Sequence, residues 1–355
     1  MIARWWERRR GSGEKSAGTS APTSVGVPVG GTVLVLGVLS VLLCLVSLAV
    51  GSHSLTLEEV AGAFVPGRTT VASVIVWQLR MPRTVLAVMV GASLAVAGVV
   101  MQGLTRNPLA EPGILGINAG ASLSVVLSMS LLGLTDVSDF LWFAFAGAAL
   151  VAFLVHLMSV RSADAGPARL VLAGVALGAS LRSITGTITM YDSVTFDSYR
   201  FWVLGSLADR DAVLLVWVAP FLVVGLVLAL ASGLTLNALA LGEEQAKALG
   251  VSPRRARALA LTSITLLCGA STAAVGPISF VGLVVPQVLR LALGADQRRL
   301  LAVSLVAGPV LLLAADVAGR VILDSGEMEA GVVTAFIGGP VLLLMVIQRM
   351  GVKGR

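Results

Sequence analysis

Asp316 and Arg182 stand firmly inside long apolar runs, and an ionisable residue at membrane depth is a functional candidate by default. The chemistry it would serve is proton- or sodium-driven carriage, which needs a relay of buried carboxylates or unwound, carbonyl-rich helices. One carboxylate is thin for that task. Asp316 also lies four residues before Arg320, so one helical face can hold the two as a structural ion pair. Cys44 and Cys268 lie in apolar runs with no second ligand pair nearby, which favours packing over a disulfide or a metal site. His53 and His156 are far apart. No G-x-x-x-x-G-K-[ST] pattern occurs, so the chain has no Walker A route to ATP of its own. A membrane-embedded enzyme would need a metal or nucleophile constellation, and the sequence offers none.

What must position these residues is a membrane scaffold. Of 355 residues 57% are hydrophobic and 12% charged, with mean hydropathy +0.95, against about 45–50% and about 25% in soluble domains. So few charges cannot cover a soluble surface, which sets aside a soluble enzyme, a disordered chain and a coiled coil. A crossing helix needs about 20 apolar residues. Ten such runs occur, at 32–51, 84–103, 113–132, 140–160, 168–190, 212–232, 256–276, 279–294, 299–319 and 331–349. They lack the period of two that a β-barrel requires. The sequence therefore predicts an all-α, polytopic membrane protein: a tail over 1–31 and a spanning domain over 32–350.

The net charge of +6 and the pI near 10.1 read as the bias of a membrane protein rather than as a nucleic-acid partner. With ten crossings, eighteen Lys and Arg fall on the side of the termini and six on the other, with Arg182 inside a span. Both termini are thus expected in the cytoplasm. The tail is basic and Gly/Ser/Thr-rich, and the first apolar run is long enough to stay as an anchor. The outer loops 52–83 and 191–211 are large enough to meet another protein.

Three interruptions carry specific information. Arg80-Met81-Pro82-Arg83 leads into the second span, which ends in Asn107-Pro108-Leu109-Ala110-Glu111-Pro112-Gly113, a tight inner turn. Leu241-Gly242-Glu243-Glu244-Gln245-Ala246-Lys247-Ala248-Leu249-Gly250-Val251 reads as a short polar helix ended by Gly250 at C′. Between two spans, such a helix is shaped to dock in a groove of another protein, or is an ordinary surface helix. Third, Pro277 and Pro286 are expected to frame a broken helix, which is tolerated only against protein or a water-filled cavity.

These segments resemble a known family. The run R-M-P-R…G-A-S-L-A-V-A-G-V-V-M-Q-G-L-T-R-N-P-L-A-E-P-G-I-L-G, the L-G-E-E-x-A-x-x-L-G-V loop, G-P-I-S-F-V-G-L-V-V-P and G-V-V-T-A-F-I-G-G-P look like the FecCD-type permeases. Those are membrane subunits of bacterial ABC importers for iron–siderophore complexes, haem and cobalamin. The resemblance covers about residues 32–350 and excludes the tail. It implies ten spans per subunit, the type II importer permease fold, and a dimer, homo- or heteromeric, with the path at its interface. Two ATPase subunits would carry ATP and Mg, with no cofactor on this chain. Leu241, Gly242, Glu243, Glu244, Ala246, Leu249 and Gly250 would form the coupling helix. Asn107 and Leu109 match the cytoplasmic gate. An extracytoplasmic binding protein would dock partly on outward arginines, by position Arg80, Arg83 and Arg320. Two positions depart from the family pattern: Gln287 stands where His is common, and Glu329-Ala330 where Pro often precedes the last motif. The function expected is translocation of an iron–siderophore complex into the cell, with cobalamin or haem as alternatives within the family. The rival of another class is an ion-coupled secondary transporter, for which Asp316 would be essential.

Overall fold

The computed structural model describes residues 28–51, 55–65, 70–160, 167–323 and 326–353. Arg68, His53 and most of the basic tail lie outside them. Every regular element among the described residues is helical, as hydrocarbon requires when each segment must pair its own backbone.

Among the described residues seven helices are long and apolar enough to cross a membrane. They comprise α1 (Val29–Ala49), α4 (Met81–Thr105) with the turns that precede it, α6 (Val137–Val160), α7 (Pro167–Tyr191), α9 (Ala212–Ala231), α12 (Pro253–Val275) and α14 (Gln297–Ile322). Three shorter apolar helices join them: α5 (Ile117–Leu132), α13 (Val281–Leu293) and the Ala330–Met345 part of α15 (Ala330–Lys353). The end of the bundle bearing residues 233–248 is termed inner, after the Lys/Arg bias, and the opposite end outer.

α4 is the axis of the bundle and is buried almost throughout, whereas α1 turns Leu34, Val35, Val38 and Leu42 outward. The apolar effect gives helices little reason to associate in lipid, so close packing must hold them. A Cβ on Gly91 would lie 2.8 Å from the Gly308 carbonyl oxygen. Glycine at both places is what brings α4 and α14 into backbone contact.

The outer loops contain more structure than the sequence pattern suggests. Within 52–83 lie α2 (Leu57–Gly62), α3 (Val71–Val74) and a π-helical stretch, Ile75–Arg80, that runs directly into α4. Capping boxes at Thr56/Glu59 and Thr70/Ser73 start the two short helices. Within 191–211 lies α8 (Ser193–Val203), whose cap Asp192 accepts the Thr195 N–H at 3.1 Å. Trp202 anchors α8 in the core.

The broken helix needs one correction. Its interruption is at 276–280, with Gly276 and Phe280 at positive φ (+77° and +70°), but Pro286 sits inside α13 rather than at its end. A proline lacks the N–H that would pair the carbonyl four residues back. Here that carbonyl is Gly282 O, and Gln102 Nε2 reaches it at 3.4 Å from α4. A side chain from a neighbouring helix thus stands in for the missing donor, and α13 continues through its proline.

Candidate functional site

The polar stretch after α9 folds as α10 (Gly233–Ala240) and α11 (Glu243–Ala248). Gly242 (φ +122°) and Gly250 (φ +79°) take backbone conformations that suit glycine. Gly250 is the C′ residue of a Schellman ending: the Val251 N–H returns to Ala246 O at 2.9 Å. Ala246 is fully buried in a small cluster with Ala238, Leu239 and Ala256, and Glu243 pairs with Arg257 of α12. α11 is therefore fixed to α10 and α12 by one face. Leu241 and Leu249, which flank α11, are 64% and 63% exposed, and Glu244 and Lys247 on the helix between them are exposed as well. Two bare leucines around charged groups form a surface suited to a groove in another protein.

The inner turn is built by Asn107, whose Oδ1 accepts the Leu109 N–H at 3.0 Å, an Asx turn. Both residues reach the surface of the chain. From here the chain climbs back into the bundle. Glu111 Oε1 accepts the Phe280 N–H at 2.7 Å, at the start of α13, and Gln287 Nε2 donates to Pro108 O at 2.7 Å. Burial pushes the Glu111 carboxyl above its ordinary range, against the opposing pull of the Phe280 N–H. Gln287, the departure from the family pattern, thus joins α13 to the inner turn. On the same end Asp296 caps α14 by accepting the Arg298 N–H at 3.0 Å. Its carboxyl is held below the ordinary range, chiefly by a hydrogen bond from Asn237.

The three arginines expected as outward docking groups stand at the wall of an outer cavity and are largely buried, Arg83 at 13% exposure being the most open. Arg80 and Arg320 are 6% and 5% exposed. Arg80 Nη1 donates to Leu48 O at 2.7 Å, and Arg320 Nη1 to Ser47 O at 2.8 Å. The Asp316–Arg320 pair forms, but it is part of a larger cluster. Arg83 donates to Asp316 from Nε and Nη2, at 3.0 and 2.8 Å, and to half-exposed Glu327 at 2.6 Å. The local spacing showed one pair; the fold adds Arg83 from a distant segment and Glu327 from the loop after α14, and no sequence signal pointed to Glu327. Above this cluster an outer cavity of about 880 Å³ is lined by Arg80, Arg83, Arg210, Arg320, Asp209 and Glu327. A second, apolar cavity of about 520 Å³ lies beside the broken helix, against Phe280, Phe336 and Pro340.

Among the described residues no three His, Cys, Asp or Glu side chains converge as metal ligands would. Cys268 is buried beside Asn118, and Cys44 is half-buried.

A bundle of helices long and apolar enough to cross a membrane, with a short, partly bare helix at one end, has the architecture of a membrane permease. The chain belongs to the FecCD transport family, which matches residues 38–348. It is 44% identical over 305 residues to the ferric enterobactin transport system permease protein FepD of Escherichia coli (strain K12), covering 85% of this chain and 91% of that one. It is 36% identical over 308 residues to the probable siderophore transport system permease protein YfiZ of Bacillus subtilis (strain 168), covering 86% and 92%. Among solved structures it is similar to an ABC transporter assigned to the metal-chelate type, in an inward-facing conformation. That likeness has TM-score 0.79 and 28% identity over 90% of this chain and 99% of the other.

Proposed function

We propose that this chain is the permease subunit of an ATP-driven importer and that its cargo is an iron–siderophore complex. The observation that carries the reading is α11: one face is fixed to the bundle, and the flanking Leu241 and Leu249 are exposed. The permease itself performs no covalent chemistry. Two ABC ATPase subunits hold ATP and Mg, and nucleotide binding moves α11 against the bundle, biasing outward- and inward-open states. Identity to a ferric enterobactin permease over most of both chains supports the cargo class.

A second permease subunit, identical or related, covers α7. That helix exposes Arg182, and a central Arg facing lipid would cost about 2.5–3.5 kcal/mol or more. The Ser180, Ser183 and Thr187 hydroxyls bond carbonyls of their own helix, so Arg182 is the group that needs water or a partner. An extracytoplasmic binding protein docks at the outer cavity. Glu327, 29% exposed on its side chain, is the partner of Arg83 that an incoming carboxylate can replace. The setting is the cytoplasmic membrane of a bacterium with both termini inside. Against the ion-coupled alternative, Asp316 is 1% exposed and already held by two arginines.

Replacing Glu243 and Glu244 with Lys is expected to abolish uptake while membrane insertion stays intact; unchanged uptake counts against α11 as the lever. Uptake of labelled ferric enterobactin, haem and cobalamin in a deletion strain decides the cargo. Preference for cobalamin or haem would replace the siderophore assignment and leave the importer reading standing.

A further inference from the structure

Polar contacts at the inner end converge on α10. The Asn237 side chain makes two hydrogen bonds of opposite sense to consecutive residues. Its Nδ2 donates to Asp296 Oδ1 at 2.8 Å, and its Oδ1 accepts the Gln297 N–H at 2.9 Å. An amide engaged at both ends fixes separation and rotation together. The apolar contacts of α10, such as Leu236 over Gly103, have no such directionality.

Each side of this junction leads somewhere specific. On one side α10 shares its apolar cluster with Ala246 of α11. On the other, Asp296 and Gln297 begin α14, and residues 294–296 join it to α13. α13 is held through Gln287 to Pro108 O, and Pro108 lies between Asn107 and Leu109. Gln102 and Gly282 add a second link between α4 and α13. A path of contacts therefore runs from α11 to the inner turn: apolar from α11 to α10, directional at Asn237, along the chain from α14 to α13, and directional again at Gln287.

We infer that Asn237 is the positioning residue through which displacement of α11 reaches α13 and the turn at Asn107–Leu109. The inference rests on the lever role proposed for α11. Without Asn237, α11 would still respond to the ATPase, but the inner turn would follow it poorly. Asn237→Ala should therefore separate hydrolysis from transport rather than lower both.

The test uses the complete importer, with its ATPase and binding protein, reconstituted in vesicles. The probe is whichever of ferric enterobactin, haem or cobalamin the wild type takes up best. Asn237→Ala is expected to hydrolyse ATP within about twofold of wild type and to lose about tenfold in cargo moved per ATP, the scale of one charge-assisted hydrogen bond. Asp296→Asn keeps an oxygen that can accept from Asn237 but loses its charge, and should lower the ratio less than Asn237→Ala does. Should the alanine variant fail to assemble, Asn237→Leu keeps the side-chain bulk, loses both hydrogen bonds, and should show the same fall. An unchanged ratio, or a parallel loss of hydrolysis and uptake, overturns the inference. The Glu243/Glu244→Lys variant separates the two claims. If it still transports, the lever reading fails; if it does not, and Asn237→Ala keeps its ratio, only the role of Asn237 fails.

Discussion

α4 and α14 run side by side through the bundle, yet their two ends are secured by different chemistry. At the outer end Arg83 and Arg320 close on Asp316, with Glu327 outside them. At the inner end the buried ties are neutral, Gln102 to Gly282 O, Gln287 to Pro108 O and Asn237 to Gln297 N, and the ion pairs Glu243–Arg257 and Asp296–Arg299 are partly exposed. Removing one member of a buried ion pair costs about 3–5 kcal/mol, because its partner is left charged and unpaired. A neutral hydrogen bond nets about 0.5–1.5 kcal/mol. The outer end is thus the fixed one, and the inner end, where α11 sits, can exchange its contacts at modest cost. The movement proposed for α11 therefore falls at the end with the weaker ties.

The largest expected effect is at the outer cluster. Asp316→Ala leaves Arg83 and Arg320 buried without their carboxylate and should cost about 3–5 kcal/mol, read as lost thermal stability or yield of folded protein in detergent. Asp316→Asn keeps shape and some hydrogen bonding, and its cost should be smaller. An alanine variant as stable as wild type would break the comparison. A stable Asp316→Asn protein with normal ATP coupling but no transport would revive the ion-coupled alternative.

The next effect is at Glu111. Glu111→Ala strands the Phe280 N–H in a buried site, at about 1–3 kcal/mol. Glu111→Gln retains an accepting oxygen and should lose much less; thermal unfolding of the two variants compares them directly. Equal losses would mean that the hydrogen bond to α13 contributes nothing. The same residue gives a pH dependence. Its pKa is raised in the folded state, so the native form holds a proton that the unfolded chain gives up more readily. Its contribution to stability is full below the ordinary carboxylate pKa and declines as pH climbs through the raised one. Glu111→Gln should flatten that decline, and identical wild-type and variant profiles would contradict the assignment.

The smallest effect is expected at Glu327. It is half-exposed, so Glu327→Gln should cost at most about 1 kcal/mol of stability, measured in the same melts. A loss as large as that of Asp316→Ala would show that the outer lock extends further than its burial indicates.

The sequence made local features legible and long-range ones not. Apolar runs mark the crossings because length and composition set them, and Gly250 could be read as a C′ residue because a helix end is local. Asp316 and Arg320 are visible as a pair because four residues make one helical turn. Arg83 is 233 positions from Asp316, and Asn237 is 59 from Asp296; no spacing rule joins them, and only the packing of α4, α10 and α14 does. The burial of Arg80 and Arg320 was hidden for the same reason, since their acceptors are carbonyls near the end of α1. Pro286 misled because proline usually ends a helix, and the side chain that rescues it comes from α4. α8 was legible in principle: Asp192 followed by Thr195 is a capping pattern, overlooked inside a loop too polar to cross.

The most direct test of an externally driven lever is transport by the purified chain in sealed vesicles, with and without its companions. Ferric enterobactin should accumulate against its gradient only when the second permease subunit, the ATPases, the binding protein and ATP are all present. Uphill accumulation by this chain alone, under a proton or sodium gradient, would contradict the account.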